Sequence, residues 1–381
     1  MRSVLVRIGA IVGKEFRHLG RDPRMLLAVV ITPVIQLLLF AYAISFDVEN
    51  VPTIVIDADH TPASRAYVQT FEASPFFEVV ASGDSISDVD AAFDTGVARV
   101  AVVVPSGFAR TLAGARPAQV GVFVDGSEPT SAKVAQAYSV ALNQLYGQRL
   151  TREWAEAQGL DLSGLGMLEP RVRTWYNPER RSSDFLIPGL MVVILAIVTV
   201  QQTAVTLVRE RDQGTEEQLR VSPLRRLELM VGKLLPWTLI AFLDVVLITG
   251  LARTLLDVPL RGDVWALGAG AMLFVFASLG MGLLISAIAP SLDTANILAM
   301  LIAFLPAFLL SGFAFALDQI PVFLQWVSYG FPARHMVAIA RGTFLKGAGF
   351  AELWPELAWL AGYALVMLVV SALLYRRRSG R

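Results

Sequence analysis

The hydrophobic positions of this chain are gathered into long apolar runs that few polar residues interrupt. Crossing the roughly 30 Å hydrocarbon core of a bilayer as a helix takes about 20 consecutive, mostly apolar residues. Six runs meet this length, and they cover residues 25–46, 185–208, 229–256, 264–289, 295–317 and 357–375. The pattern therefore predicts a polytopic α-helical membrane protein with six transmembrane helices.

The first run has a second interpretation, as a secretory signal peptide. Ala41, Tyr42 and Ala43 have the small-x-small form of a cleavage site. The run is, however, longer than the roughly 7–15 apolar residues of a signal peptide, and the segment before it is long for a signal peptide's basic region. We therefore expect an uncleaved membrane helix at residues 25–46.

The stretch between the first two runs, residues 47–183, has a different pattern. Short apolar runs of strand length, bounded by turn residues, alternate there with helical patterns. The strand-like runs cover residues 53–57, 76–80, 100–104 and 120–124, and the helical patterns cover residues 63–72, 86–93 and 131–157. In the last pattern, the apolar residues at helical spacing are Val134, Ala137, Tyr138, Ala141, Leu142 and Leu145. The alternation predicts an inserted α/β domain with a small mixed sheet.

Composition and charge agree with a membrane protein and exclude several other classes. Hydrophobic residues make up 55% of the 381 residues and charged residues 17%, whereas soluble proteins carry about 25% charged residues. The formal net charge is zero, which gives no indication of nucleic-acid binding. The chain contains no cysteine, so disulfides, thiolate metal sites and cysteine nucleophiles are excluded.

The positions of arginine and lysine orient the predicted helices, because cytoplasmic loops are enriched in these residues. Residues 1–24 contain six of them, residues 209–233 contain another six, and residues 376–381 contain four. The links expected on the other side are poorer in both. We therefore expect both termini in the cytoplasm and the inserted domain outside it.

Residues 1–24 predict an amphipathic helix on the cytoplasmic membrane surface. Apolar residues such as Val4 and Ile8 recur at helical spacing, and basic residues such as Arg7 occupy much of the remaining surface. Such a helix lies along the membrane with its cations near anionic headgroups. The alternative interpretation is a polybasic topology signal with no further role.

The cytoplasmic link at residues 209–233 is charged and contains helix-breaking residues. Gly214 permits a break in the helix, and Thr215 can cap a short helix that has acidic residues in its first turn. Ser222 and Pro223 end that helix. A stiff, charged link of this kind is suited to docking a soluble partner protein.

Residues that could carry catalysis are scarce. The three histidines, His18, His60 and His335, are far apart and lack metal-ligand spacing, so we expect surface or packing roles for them. A phosphate-binding loop is absent, because neither Gly-Lys pair, at residues 13–14 and 232–233, is followed by serine or threonine. We therefore expect no enzyme activity, no metal site and no cofactor bound by this chain.

Three stretches of the chain resemble ABC-2 type transporter permeases. In the cytoplasmic link the similarity is carried by Arg209-Glu210-Arg211, Gly214-Thr215, Glu217, Leu219 and Ser222-Pro223, with Gly232-Lys233 opening the next helix. Towards the C-terminus it is carried by Leu310-Ser311-Gly312-Phe313, Ile320-Pro321, Phe331-Pro332-Ala333-Arg334-His335 and Arg341-Gly342-Thr343. Near the N-terminus it is carried by Lys14-Glu15-Phe16 and Arg21-Asp22-Pro23-Arg24. One departure is Ala316, where proline is expected, so the external turn is expected to differ locally.

The resemblance implies the membrane-spanning subunit of an ATP-driven exporter, with ATP and Mg²⁺ on a separate dimer of ABC ATPase subunits. It assigns ATPase docking to Arg209, Glu210, Gly214, Thr215, Glu217, Leu219, Ser222, Pro223, Gly232 and Lys233. It assigns the membrane-interface helix to Lys14, Glu15, Phe16 and Arg21. It assigns an external gate, in and just before a re-entrant segment at residues 318–356, to Gly312, Phe313, Pro321, Pro332, Arg334 and Arg341.

The same resemblance implies the cytoplasmic (inner) membrane of a bacterium as the location, and it implies further partners. They are a second permease copy or a sister permease, membrane lipid, and a periplasmic adaptor of the kind that often works with the subfamily carrying an extracytoplasmic domain after the first helix. Few charges lie inside the predicted helices. We therefore expect an amphipathic, drug-like or lipid-like substrate, with polymers and peptides as the alternatives.

Asp244 is an exception, because it lies inside the third predicted helix. A carboxylate at the centre of a membrane helix costs about 2.5–3.5 kcal/mol on insertion scales, and it usually lines a cavity or meets a partner. We expect Asp244 to face the protein interior or a subunit interface; the alternative is a polar contact between helices without a transport role.

Two other functions fit parts of the sequence. One is a proton-driven secondary transporter with Asp244 as the proton carrier, and the other is a membrane receptor with an external sensor domain. The chain has no convincing internal repeat of the kind found in many secondary transporters. Six spans without a cytoplasmic output domain argue against the receptor. Co-purification of an ATPase would separate these functions from the exporter.

Overall fold

A computed structural model describes residues 2–21, 23–43, 50–114, 116–159, 174–179, 181–212 and 226–378. The chain forms two compact units. We call Met1–Ile44 together with Thr174–Arg381 the helical unit, and Ser45–Arg173 the α/β unit.

The secondary structure alternates between the two units in chain order. The helical unit begins with α1 (Arg2–Arg21) and α2 (Pro23–Ala43). The α/β unit follows with β1 (Val51–Asp57), α3 (Pro62–Glu72), β2 (Phe77–Gly83), α4 (Ile86–Asp94), β3 (Val100–Val104), α5 (Phe108–Ala113), β4 (Gly121–Val124) and α6 (Pro129–Ala157). The helical unit resumes with α7 (Ser182–Asp212), α8 (Arg226–Thr254), α9 (Val264–Ile288), α10 (Leu292–Leu309), α11 (Val322–Ser328), α12 (Pro332–Arg341), a π-helical turn (Gly342–Lys346) and α13 (Phe350–Arg378).

Five helices in the described part of the chain are long and apolar enough to cross a membrane. Their apolar spans are Ser182–Val205, Leu234–Thr254, Val264–Ile288, Leu292–Leu309 and Phe350–Ser371. The first run predicted from the sequence falls on α2, where the apolar helical stretch is shorter, Val29–Tyr42. A polytopic helical membrane protein is therefore confirmed, while the count of six spans stays a prediction.

Two of the predicted helix boundaries are wrong. The fifth run was expected to be helical to residue 317, but α10 ends at Leu309. The chain turns at Gly312, whose φ of 86° lies in the left-handed region that favours glycine. The last helix begins at Phe350 rather than at residue 357, so the predicted external segment 318–356 includes its first turns.

Helix α7 is the central element of the helical unit and packs against α2, α8, α9, α10 and α12. Its apolar span is 78% buried, because these five helices surround it. The span of α10 is only 22% buried. Its buried residues are Ala295, Ala299, Ala303 and Ala307, one every fourth position, so a single narrow alanine stripe faces its neighbours.

The α/β unit contains a four-stranded mixed sheet with the strand order β2-β1-β3-β4. Strand β1 pairs in parallel with β2 and β3, and β4 pairs antiparallel with β3. All four strands lie where the sequence predicts them. Aromatic residues fill the main core of this unit, including Tyr67, Phe71, Phe77, Phe108 and Tyr146. The short helix α5 was not predicted.

The buried face predicted for α6 is partly wrong. Ala137, Ala141 and Leu145 are exposed, and Leu145 retains 62% of its accessible surface. The face that packs inward instead carries Ser139 and Tyr146. Helical spacing allowed two apolar stripes on this helix, and only contacts with α3 and β4 select one of them.

Candidate functional site

A cavity of about 400 Å³ lies among α2, α7, α10 and the turn after α10. Its lining consists of Gln36, Phe40, Leu190, Val193, Ile194, Ile197, Gln201, Asn296, Ile297, Met300, Phe304, Phe308 and Phe313. None of these thirteen described residues is charged. Its volume falls within the roughly 300–1,000 Å³ of sites that enclose drug-sized molecules.

Three amide side chains are the polar groups among the described residues that line this cavity. Gln201 donates its Nε2–H to Asn296 Oδ1 at 3.1 Å, which joins α7 to α10. Gln36 on α2 has a buried Oε1 with no hydrogen-bond partner in the described structure. A buried acceptor without a partner costs free energy, which a ligand with an O–H or N–H group can recover.

Three of the predicted gate residues meet at one end of the cavity. Arg341, the last residue of α12, donates hydrogen bonds to Gly312 O at 2.8 Å and Phe313 O at 3.4 Å. The same guanidinium donates to Phe185 O at 3.3 Å and stacks on the Phe185 ring at 3.6 Å. Phe313 is buried and lines the cavity. Arg341 therefore fastens the turn that carries Phe313 to the start of α7.

The other three predicted gate residues form a separate group. Arg334 donates to Gln325 O at 3.0 Å and to Ser328 Oγ, and it lies 3.5 Å over the Tyr329 ring. Pro321 immediately precedes α11, and Pro332 is the first residue of α12. These contacts fix the angle between α11 and α12 and do not reach the cavity.

His335 has the packing role expected from the sequence. Its ring is buried, and its Nδ1 contacts Glu356 Oε2. The Nε2 atom lies 3.2 Å from Tyr329 O, and the ring stacks on Trp359. These contacts join α12 to α13. Within the residues that the structure describes, no cluster of histidine and acidic side chains could hold a metal ion.

The predicted docking residues lie only partly within the described chain. Gly214, Thr215, Glu217, Leu219, Ser222 and Pro223 fall outside the described residues. Arg209 and Glu210 belong to the last turn of α7, and Gly232 and Lys233 lie inside α8, so both ends of the predicted link 209–233 are helical. Gly232 is buried against Ile11 of α1, and we therefore correct its assignment from docking to helix packing.

Helix α1 is held by protein contacts as well as having an exposed basic face. Lys14, Phe16 and Arg21 are exposed, as a membrane-surface helix requires. Glu15, however, is buried, and α1 packs along α8. The predicted interfacial helix is therefore also a structural part of the helical unit.

Asp244 lies in α8 and is 1% exposed. Neither carboxylate oxygen has a hydrogen-bond partner among the described residues. It does not line the cavity. Asp244 is therefore in the protein interior, as expected. It lies away from the three amide side chains that line the cavity.

A family model described as ABC-2 family transporter protein matches residues 23–373, nearly the whole chain. The chain belongs to this family of transporter permeases. A family of this kind implies an ABC ATPase as partner. The matched residues include all the helices around the cavity.

Relatives of this ABC-2 permease align along almost its full length. It is 31% identical to the probable multidrug ABC transporter permease YbhS of Escherichia coli K12, over 98% of this chain and 97% of YbhS. It is 28% identical to the probable multidrug ABC transporter permease YbhR of the same organism, over 92% of this chain and 93% of YbhR. It is 26% identical to the inner membrane transport permease YhhJ, over 96% of both chains.

The cavity of this ABC-2 permease was missed in the sequence. Gln36, Gln201 and Asn296 each interrupt an apolar run, which is the signal that could have singled them out. Their grouping depends on which helices are neighbours. Sequence spacing does not supply that information.

Proposed function

We propose that this permease moves an uncharged amphipathic molecule, drug-like or lipid-like, out of the cytoplasm or the inner membrane, driven by a separate ABC ATPase. The observation that carries the proposal is the cavity among α2, α7 and α10. Its aliphatic and aromatic walls favour apolar surface by about 25 cal/mol per Å² removed from water. The described lining residues carry no charge, which disfavours ions, because an ion would lose its hydration without gaining a partner among them.

The three amides supply orientation within this apolar space. Gln36 Oε1 accepts a hydrogen bond from a substrate hydroxyl or amide, and the Gln201–Asn296 pair provides a second polar point. A molecule with one polar end and an apolar body fits both parts of the lining. The names of YbhS and YbhR as multidrug permeases support a substrate of this class.

The assembly that we propose follows from the energy source. The chain lacks a phosphate-binding loop, so ATP and Mg²⁺ bind to a dimer of ATPase subunits that docks at the part of the link before α8, residues 209–225, on the cytoplasmic side. Two permease copies, or this permease with a sister subunit, enclose the route. The α/β unit lies outside the cytoplasm, where a periplasmic adaptor can reach it.

Reconstitution tests the proposed function. The permease is co-expressed with its ATPase, purified and placed in phosphatidylethanolamine–phosphatidylglycerol vesicles, and ATP-dependent movement of the uncharged dye Nile red and of cationic ethidium is measured. We expect the ATPase to co-purify and Nile red to be the better substrate. Transport driven by a proton gradient without ATP would support the secondary transporter instead, and preference for ethidium would contradict the substrate class.

The role of Gln36 gives a sharper version of this test. Gln36→Leu removes the unpaired acceptor and keeps the volume, so the KM for a hydroxylated substrate should rise by roughly 3- to 10-fold, the worth of one hydrogen bond. The KM for an analogue without the hydroxyl should stay unchanged. Ile35→Leu is the control, because Ile35 is an exposed neighbour that does not line the cavity. Equal effects on both substrates would contradict direct contact with Gln36.

Orientation is tested by labelling, since the chain has no cysteine of its own. A cysteine introduced by Ser127→Cys should react with a membrane-impermeant thiol reagent in cells whose outer membrane admits it. A cysteine introduced by Ser379→Cys should not react until the inner membrane is broken. The reverse labelling would overturn the proposed topology.

A further inference from the structure

Two contacts one helical turn apart hold α1 against the beginning of α8. Gly232 of α8 faces Ile11 of α1 so closely that a Cβ added at Gly232 would lie 2.7 Å from Ile11 Cβ. Any larger residue at position 232 would force the two helices apart. This close approach is a property of the backbones, because glycine alone leaves room for it.

The second contact is an ion pair. Arg7 Nη1 lies 3.5 Å from Glu228 Oε2, and the Glu228 side chain is only 3% exposed. Burying a carboxylate is costly unless a cation accompanies it, so Glu228 ties α8 to the basic helix α1. Arg7 and Ile11 are four residues apart on α1, as are Glu228 and Gly232 on α8. The two contacts therefore lie on one face of each helix.

The position of this contact in the chain gives it a route to the cavity. Helix α8 begins at Arg226, immediately after the stretch proposed to dock the ATPase. Helix α1 is separated from α2 by the single residue Asp22. Helix α2 carries Gln36 and Phe40, which line the cavity.

We propose that α1 and the first turns of α8 move as one rigid body during transport and carry the movement of the docking link to α2 and the cavity wall. This inference rests on the proposed function. Ile11, Gly232, Arg7 and Glu228 are positioning residues, which we call the α1–α8 clamp. A helix held only by lipid headgroups would not transmit a displacement of α8, because headgroups offer it no fixed point.

The first experiment reads the movement of α2 without any substrate. In permease–ATPase complexes carrying Phe40→Cys as the only cysteine, the rate of N-ethylmaleimide labelling is compared with and without ATP and vanadate. Gly232→Val should abolish the nucleotide-dependent change in rate. Gly250→Val, on the same helix with open space around its Cα, should leave that change intact. Adding Ile11→Gly to Gly232→Val removes the atoms that the introduced valine side chain would meet and should restore the change.

The second experiment replaces the ion pair by a covalent bridge. Arg7→Cys with Glu228→Cys should lower ATP-dependent Nile red transport by roughly 5- to 150-fold, the usual range of coupling between sites, while ATPase binding and basal hydrolysis persist. A short bifunctional thiol reagent should then restore transport in the double variant and have no effect on either single variant. Recovery is expected only if the two helices move together.

The outcomes separate this inference from the proposed function. If the ATPase does not co-purify with the wild-type permease, the proposed function itself is contradicted. With the ATPase bound and active, a labelling change that survives Gly232→Val would overturn the α1–α8 clamp. Transport that the bridge fails to restore, or blocks further, would overturn it as well, because it would mean that α1 has to move against α8.

Discussion

Two carboxylates, Asp59 in the α/β unit and Asp244 in the helical unit, differ in the hydrogen bonds that they accept. Asp59 accepts hydrogen bonds from Gly107 N at 2.7 Å, Ala109 N at 3.0 Å and Thr61 Oγ1 at 2.7 Å, which fixes the start of α5. Asp244 is buried and accepts none from the described residues. The hydrogen bonds of Asp59 stabilise the fold, whereas the described residues offer no such bond to Asp244.

The same difference extends to neutral polar groups. In the α/β unit, Tyr67 donates its O–H to Asn143 Oδ1 at 2.6 Å, although Ser139 Oγ is left without a described partner. In the helical unit, Thr199 and Thr238 bond to carbonyls of their own helices, whereas Gln36 Oε1 has no partner among the described residues and its side chain lines the cavity. An unpaired group costs more in a membrane than in a water-exposed domain, so the unpaired groups of the helical unit are the better indicators of function.

Removing the Asp244 carboxylate should give the largest effect on stability. Asp244→Leu should stabilise the helical unit by about 1–3 kcal/mol, the cost of burying a polar group without a hydrogen-bond partner, and should lower export if the carboxylate acts in transport. The measurement is thermal unfolding in detergent beside transport in vesicles. Thr238→Val, which removes a satisfied hydroxyl from the same helix, should change stability little.

The isosteric variant separates function from stability at this position. Asp244→Asn keeps the shape and removes the ionisable proton. If assembly and export both stay at the wild-type level, Asp244 has no role in transport, and the secondary-transporter interpretation loses its proton carrier.

Removing a hydrogen-bonded group should lower stability, the opposite of the change expected at Asp244. Tyr67→Phe removes the O–H that satisfies Asn143, so it should destabilise the α/β unit by about 1 kcal/mol. Tyr146→Phe is the matched control, because its O–H makes only a 3.4 Å contact with Ala63 O. Calorimetry of the intact permease should show the Tyr67 loss as the larger one. Stabilisation by Tyr67→Phe would contradict the claim that paired polar groups stabilise the α/β unit.

The smallest effect is expected in how the contribution of Asp59 to stability changes with pH. The backbone N–H of Ala109 and the hydroxyl of Thr61 are the main groups that hold the pKa of Asp59 below its usual range. A lowered pKa stabilises the fold above the unfolded value of about 3.9, and the stabilisation is lost as the pH falls towards the folded pKa. Asp59→Asn should therefore lower the unfolding temperature at neutral pH and approach the wild type in acid.

The control for this last measurement is Asp90→Asn, at an exposed position of α4. Its difference from the wild type should stay small at every pH. An Asp59→Asn difference that is constant from neutral pH into acid would mean that the carboxylate charge does not contribute through these hydrogen bonds.

The predictable parts of this protein are those set by local hydrophobic spacing. Long apolar runs located the spanning helices, and short apolar runs located all four strands, because periods of 3.6 and 2 residues are visible within a few turns of chain. The end of α10 was mispredicted because residues 310–317 continue the apolar run. That turn is fixed by Gly312 and by Arg341, which is 29 residues away in the chain.

The candidate site was less predictable than the fold. The buried position of Asp244 could be expected from the cost of its charge alone. The Gln201–Asn296 contact spans 95 residues, and the Ile11–Gly232 approach spans most of the helical unit. Both depend on which helices become neighbours, which no single helix encodes.

The alanine stripe of α10 has a consequence for how the cavity wall can move. Alanine has no side-chain rotamers, so packing α10 on this stripe costs no side-chain entropy. Its four small methyl groups, at positions 295, 299, 303 and 307, also form few interlocking knobs that would hold one register. Helix α10 therefore packs through a surface with few protruding side chains. The same helix contributes Asn296, Met300 and Phe304 to the cavity lining. Sliding along that surface would break the Gln201–Asn296 hydrogen bond and resize the cavity.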